Sequence, residues 1–295
     1  MTKLFMKTFF SILLCVLLLP ALHAQDLEAL MNQTTETSKQ YTTATFKTTR
    51  VINLHSVENT HAGTLDFRIS HRFGTINSGW RDLWGLDNSM VRFNFEYGLN
   101  DALMIGVARS TYQKTYEGYL KYKLLKQSTG KVNIPITLSA YTNIAINTLE
   151  FPEDREPGFQ NRLAFTNMII IGRKFNDKLS LQINPIHVHK NLVEKKEEAN
   201  DLFALGTAGR YKISNRVALT GEYIYLFRNE QTPTVLGITP INNASVGVDI
   251  ETGGHVFQLH LTNSRAMVDK AFISETLGEW AAGDIYFGFN ILRAF

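Results

Sequence analysis

From Gly63 to the last residue the chain repeats one pattern: apolar side chains alternate with polar or small ones at a period of two. Successive side chains of a strand point to opposite faces, so this period specifies strands with one apolar and one polar face. Leu65, Phe67 and Ile69 alternate with Asp66, Arg68 and Ser70. Val91, Phe93, Phe95 and Tyr97 alternate with Arg92, Asn94 and Glu96, and Leu103, Ile105 and Val107 with Met104, Gly106 and Ala108. The series continues over 116–124, 132–138, 163–175, 179–183, 203–213, 217–227, 246–250, 257–261 and 285–291, giving twelve strands. Within 163–175, Met168 and Ile170 blur the alternation.

The connections select among all-β architectures. Tight turns are predicted at Gly98–Asp101, Gln127–Gly130, Asn176–Lys178, Ser214–Arg216 and Glu251–Gly254, rich in the residue types that hairpins demand. The intervening connections are long: Gly74–Ser89, Asn147–Asn161, Lys190–Asn200, Asn229–Asn243 and Ser264–Gly283, with a short one after the third strand. Short turns on one side and long loops on the other match a transmembrane antiparallel up-and-down β-barrel. An even strand number places both the N- and C-termini on the short-turn, periplasmic side. Tyr97, Tyr122, Phe175, Tyr211 and Phe295 fall at that end of the descending strands and predict a periplasmic aromatic girdle, with the strand ending near Ile250 as the exception. The apolar face then meets lipid. The polar face lines the lumen with Asp66, Arg68, Arg72, Arg92, Glu96, Glu117, Lys121, Arg210, Glu222 and Asp249. These charges are expected to pair across strands or to be solvated by lumen water. The rival fold is a soluble sandwich or lipocalin-like barrel with the apolar face turned inward.

The N-terminus supports export. Lys3 and Lys7 precede an apolar run from Phe9 to Leu19, then Pro20 and Ala24, as in a secretory signal peptide of residues 1–24. Its removal would take away Cys15, the only cysteine, and deliver the chain to the outer membrane of a Gram-negative bacterium. No later stretch is apolar for long enough to form a transmembrane helix. Residues 25–60 are polar and Thr-rich, with a short helical turn expected at Asp26–Asn32; this segment is either a plug entering the lumen or a periplasmic tail. The barrel occupies 61–295.

The terminal Ile291-Leu-Arg-Ala-Phe295 resembles the signal by which outer-membrane barrels are recognised by the barrel assembly machinery. Thr48-Thr-Arg-Val-Ile-Asn-Leu-His-Ser-Val-Glu58, followed by Gly63-Thr-Leu-Asp-Phe-Arg-Ile-Ser-His-Arg-Phe-Gly74, resembles an uncharacterised β-barrel family of Bacteroidetes outer membranes. The resemblance implies fold and location; it implies no activity, so no catalytic residue follows from it.

Other chemistry is weakly signalled. A net charge of +3 gives no basis for nucleic-acid binding. Gly-x-Ser-x-Gly, His-Glu-x-x-His, Walker-type and dinucleotide-binding motifs are absent, so no enzyme and no cofactor is indicated. His55, Glu58 and His61 are spaced by three but lack a fourth ligand, and no metal site is assigned. His187 and His189 share a face at a strand's outer end, where solvation is the plainer reading, and Pro185 is expected to mark a bulge there. His71 is the nearest candidate for a lipid-facing enzyme of phospholipase type, without a Ser partner. The acidic loop Glu150–Glu156 lacks calcium-loop spacing. Twelve strands lie between the filled eight-stranded barrels and the open larger ones. The leading expectation is therefore a narrow channel or transport conduit. The alternative is a closed structural or docking barrel that engages a partner through its long loops or N-terminal segment. Oligomeric state is left open.

Overall fold

The computed structural model describes residues 39–151 and 156–295. The expected signal peptide, Cys15 and the turn at Asp26–Asn32 lie outside the described residues, as does part of the acidic loop Glu150–Glu156.

The strands are β1 (Lys39–Tyr41), β2 (Leu65–Thr75), β3 (Ser89–Gly98), β4 (Leu103–Ser110), β5 (Tyr116–Leu125), β6 (Ser128–Gly130), β7 (Thr137–Ile146), β8 (Leu163–Lys174), β9 (Leu179–Lys190), β10 (Asp201–Lys212), β11 (Val217–Leu226), β12 (Asn243–Thr252), β13 (His255–Thr262) and β14 (Tyr286–Ala294). One six-residue helix, α1 (Asp269–Ser274), interrupts the connection between β13 and β14. β1 and β6 form a separate two-stranded ladder; the other twelve close into a barrel in which each strand pairs with its neighbours in sequence. All pairings are antiparallel. Closure joins β14 to β2, with Ile291 opposite Ile69, and Leu65 and Phe295 exchange backbone hydrogen bonds at 3.1 and 2.9 Å. β2 therefore begins and β14 ends at the rim that carries the short turns, and the all-β up-and-down barrel of twelve strands is what the alternation predicted.

The alternation resolves which face is which. In β3, Phe93 and Phe95 are each 45% exposed while Arg92 and Glu96 are buried. Exposed aromatics over buried charges invert the order of a water-soluble protein and suit a barrel whose outer surface meets lipid. No described helix is long and apolar enough to cross a membrane.

Three expectations need correction. The fifth barrel strand is Thr137–Ile146, not 132–138. Pro135 cannot donate to a ladder. The alternation at Val132–Ile136 belongs instead to a connection folded back by the Ser128–Ile134 bridge, where Ser128–Gly130 pairs with Lys39–Tyr41. Gln127–Gly130 is accordingly not a simple hairpin turn. Nor does Pro185 create a bulge: the β9–β10 register runs without a shift from His189 opposite Asp201 to Leu179 opposite Tyr211.

Candidate functional site: a lumen filled by two inserts

Residues between β1 and β2 make contacts that place them inside the barrel. Lys121 Nζ of β5 donates to the carbonyls of Thr49 (3.2 Å) and Ser56 (3.0 Å) and also to that of Glu58. Glu222 of β11 accepts the backbone N–H groups of Ile52, Asn53 and Leu54 at 3.3, 3.0 and 3.0 Å, and the Asn53 amide at 2.6 Å. Glu96 of β3 accepts from Thr49 at 2.5 Å, and Arg68 of β2 donates to Thr49 at 2.9 Å. Gln182 and Asn184 of β9 donate to the His55 carbonyl, and Gln258 of β13 to that of Val51. A segment that touches strands on every side of a closed barrel can only lie within it.

The segment is a small hairpin. Arg50 and His55 form an antiparallel bridge, Val51 N donates to Leu54 O at 2.8 Å, and Ser56 N to Thr49 O at 2.9 Å. The Ile52-Asn53 turn leaves its N–H groups pointing outward without partners of their own. An unpaired backbone donor inside a protein is costly, and the Glu222 carboxylate supplies the acceptors. Ser56 Oγ closes the stem by donating to the Thr48 carbonyl at 2.6 Å.

A second insert enters from the opposite rim. All six residues of α1 are buried, although they belong to a loop between strands. Its first residue, Asp269, accepts from Arg50 Nη1 at 2.9 Å, from Asn143 Nδ2 at 3.1 Å and from the Tyr141 hydroxyl. Glu117 links α1 to the wall: it pairs with Arg92 at 2.7 Å and accepts the Asp269 N–H at 3.2 Å. His55 packs its ring against Tyr141 at 4.0 Å and Tyr119 at 5.2 Å. Phe272 and Ile273 of α1 join Phe46, Leu54 and Val57 of the hairpin in one apolar cluster with Met168, Ile170, Ile186, Val188, Leu202, Ile224 and Leu226 of the wall. Met168 and Ile170 blur the alternation of β8 because their buried side chains pack into this apolar cluster.

The outer end of this insert is fastened by Glu275. It accepts from Lys190 and Lys270, each at 2.9 Å, and from the Tyr112 hydroxyl at 2.8 Å. Burial alone would push its carboxyl up, but the two ammonium groups hold it well below the usual carboxylate range.

Each of the ten charged residues expected on the polar face is buried. Arg68, Arg72, Arg92, Glu96, Glu117, Lys121 and Glu222 gather around the inserts. Arg72 donates to the carbonyls of Ser264 and Ala266 and to Asn53 Oδ1, so it holds both inserts at once. Asp66, Arg210 and Asp249 lie apart from this centre: Asp66 accepts from Thr60 at 2.8 Å, Asp249 from Gln258 at 2.9 Å, and Arg210 pairs with Glu251 at 3.0 Å. Tyr97, Tyr122, Phe175, Tyr211 and Phe295 are all exposed where their strands meet the short turns. His55, Glu58 and His61 do not converge. His55 is enclosed by tyrosines, Glu58 accepts the Thr45 N–H, and His61 is exposed. Sequence reasoning placed Arg50 and Asn53 in the motif of residues 48–58 without giving them partners, and missed Asp269 together with two wall glycines. A Cβ at Gly172 would stand 2.6 Å from Val57 Cγ1, and one at Gly206 2.9 Å from Leu54 Cδ1. Glycine there opens the seats into which the hairpin's apolar side chains fit.

Several solved barrels are similar in shape at low sequence identity. The NanC porin shares 8% identity, covering 78% of this chain and 98% of that one, with a TM-score of 0.48. The KdgM porin shares 9%, covering 79% and 99%, with a TM-score of 0.47. An outer membrane channel from Pseudomonas putida F1 shares 14%, covering 81% and 98%, with a TM-score of 0.48. No curated protein matches the sequence. A family model described as "Membrane bound beta barrel domain (DUF5777)" matches residues 46–295, taking in the lumen hairpin as well as every barrel strand. The chain therefore belongs to this family of membrane-bound β-barrels, and the hairpin is part of the family's domain.

Proposed function

We propose that the protein is an outer-membrane conduit held closed at rest by its own two inserts, exported by the signal peptide of residues 1–24 and inserted with its short turns toward the periplasm. The observation that carries this reading is the polar character of the seam between hairpin and wall. Lys121, Glu222, Glu96, Arg68, Gln182 and Gln258 all grip the hairpin through groups that water can satisfy if it withdraws. Arg68 Nε, Arg72 Nε, Arg92 Nη2 and Asn94 Nδ2 are buried without a protein partner, which also suits a wall built for hydration. A permanently filled barrel gains little from such charges, since replacing buried ion pairs by apolar packing is often neutral or stabilising. The barrel is read as a non-enzymatic conduit. Its C-terminal strand is its address for the assembly machinery, and its exposed rim aromatics form the periplasmic girdle.

The apolar cluster around Phe272 favours a second reading, a barrel that stays closed and serves as a docking platform. Planar-bilayer recording separates the two. The intact chain is expected to be silent apart from brief openings, and a variant lacking residues 42–58 and 266–275 to conduct steadily. A silent variant that still shows heat-modifiable migration would leave the docking reading in its place.

A further inference from the structure

The two ends of the barrel carry opposite charge. At the short-turn rim, over residues 39–61, 97–103, 122–135, 173–179, 211–217, 251–255 and 293–295, eleven Lys and Arg but four Asp and Glu are not buried. At the long-loop rim, over 75–90, 109–116, 147–151, 156–162, 189–201, 227–242 and 263–286, the figures are eight and eleven. The basic excess therefore belongs to one end, and it is the end with the exposed girdle aromatics.

The excess has a focus between β8 and β11. Lys212 N donates to the Lys178 carbonyl at 2.8 Å, so the end of β10 lies beside the turn that joins β8 to β9. This brings Arg173, Lys178 and Lys212 to one stretch of rim, with Arg216 on the next turn. Asp177, the carboxylate of the first turn, pairs with Lys174 at 3.6 Å and leaves these four cations without an acid partner among the described residues. Arg173 has the lipid-facing parity of β8, and its guanidinium lies 5.0 Å from the centre of the Phe175 ring. Stacking holds the guanidinium plane at the level of the girdle. Its Nε is buried without a protein partner. A planar fork of N–H donors at headgroup level is the group best shaped to grip a phosphate.

Deeper in the wall the same face has a dent. Arg173 stands opposite Leu181 of β9, Leu181 opposite Gly209 of β10, and Gly209 opposite Gly221 of β11. All four have the lipid-facing parity. The two adjacent glycines leave a bare patch among Leu181, Tyr211, Leu219 and Tyr223, which are all exposed. A Cβ at Gly221 would meet only the Ser245 carbonyl oxygen, at 3.8 Å, so its own space is open. Glycine weakens a strand and marks places where another group comes close to the backbone.

We propose that this face binds one anionic phospholipid of the periplasmic leaflet. Its phosphate accepts from Arg173, the cations of the two neighbouring turns surround the headgroup, and an acyl chain lies across the dent. Charge complementarity selects the class. A headgroup of net negative charge is attracted, whereas the ammonium of a zwitterionic headgroup meets four cations and no free carboxylate. The choice of leaflet rests on the periplasmic orientation of the short turns proposed above; it does not depend on whether the barrel conducts.

The test is native mass spectrometry of the full barrel in detergent, titrated separately with dioleoyl phosphatidylglycerol, phosphatidylethanolamine and phosphatidylcholine. The glycerol lipid should be retained most tightly, with an advantage that shrinks as ionic strength rises. Arg173→Gln should weaken it about fivefold, the factor that goes with one basic residue at an anionic surface. Gly221→Leu, which fills the dent and leaves every cation in place, should weaken binding of the same lipid. Arg109→Gln is the control: that guanidinium also lies 5.0 Å from a ring centre, that of Tyr116, but at the long-loop rim, and its loss should change nothing. Heat-modifiable migration checks that each variant is folded. Equal retention of the three lipids, unchanged binding by either of the first two folded variants, or equal weakening by Arg109→Gln would overturn the proposal. Orientation is checked apart from lipid binding. A Ser214→Cys thiol in the short turn should react with a maleimide too large to cross the outer membrane only after that membrane is permeabilised. Labelling in intact cells would overturn the orientation, and with it the choice of leaflet, whatever the lipid titration shows.

Discussion

Arg50 and Asp269 are 219 residues apart in sequence and meet at 2.9 Å in the middle of the barrel, one on the hairpin that enters from the short-turn rim, the other on the helix that enters from the long-loop rim. Both side chains are almost fully buried. Removing one partner leaves the other charged and enclosed, which costs about 3–5 kcal/mol, whereas replacing both by apolar groups is often neutral. Arg50→Met alone should lower the temperature of heat-modifiable unfolding and raise the frequency of openings in a planar bilayer. Adding Asp269→Leu should restore much of both. Equal behaviour of the single and double variants would show that the pair does not couple the inserts.

Glu222 is the second grip. One carboxylate accepts three backbone N–H groups from the hairpin turn and the Asn53 amide besides. Hydrogen bonds to a charged acceptor contribute about 1.5–3 kcal/mol each when lost singly. Glu222→Gln keeps the shape, discards the charge and turns one acceptor into a donor that faces other donors. The hairpin should then spend more time outside the lumen. A Leu54→Cys thiol reports this directly, because Leu54 is fully buried and the described residues hold no cysteine. Maleimide labelling at that position should be slow in the otherwise unchanged chain and markedly faster with Glu222→Gln. Identical rates would remove Glu222 from the retention of the hairpin.

The barrel was legible because its evidence is local: a period of two, turn residues at one end and length at the other can all be read along the chain. The shared face of the charges was readable for the same reason, since Arg68, Glu96 and Lys121 each alternate with apolar residues within their own strands, and all three are buried. The inserts were only half legible. Residues 25–60 offered no period, and the choice between plug and tail depends on long-range partners such as Glu222 and Gln258 that no window of sequence brings together. α1 had still less signal, being six residues inside a loop. Its trace was the loss of alternation at Met168 and Ile170, which looked like noise and was the imprint of an apolar neighbour. The 132–138 error has the opposite cause: good local alternation at Val132–Ile136 was overridden by Pro135 and by pairing of Ser128–Gly130 with a strand far upstream.

The wall glycines give a steric test. Val57 and Leu54 occupy the space that side chains at Gly172 and Gly206 would need. Gly172→Leu should expel Val57 and shift the balance toward the open barrel without disturbing strand pairing, because β8 keeps its backbone ladder. Forcing extra methylenes into a packed site costs about 1–3 kcal/mol. Gly118→Leu is the control: a Cβ at Gly118 meets only Ile144 Cγ2, at 3.8 Å. Conductance should rise in the first variant and not in the second. A rise in both would mean that general wall disturbance, not the seat of Val57, sets the closed state.

Glu275 sets how the outer insert responds to acid. Lys190 and Lys270 hold its carboxyl well below the ordinary range. A depressed folded-state value means that its contribution is complete above the unfolded carboxylate value of about 4.3 and disappears only as the pH falls through the lower folded value. Acidification from pH 7 to pH 5 therefore leaves this fastening intact. Amide hydrogen exchange across 266–275, corrected for intrinsic pH dependence, should show the same protection at both values. Glu275→Gln removes the carboxylate that the two lysines and the Tyr112 hydroxyl share, leaving two buried ammonium groups to repel each other. That variant should lose protection over 266–275 at pH 7 while β13 and β14 keep theirs. Loss of protection in the unmodified chain by pH 5 would mean that a different, more readily protonated group fastens the insert.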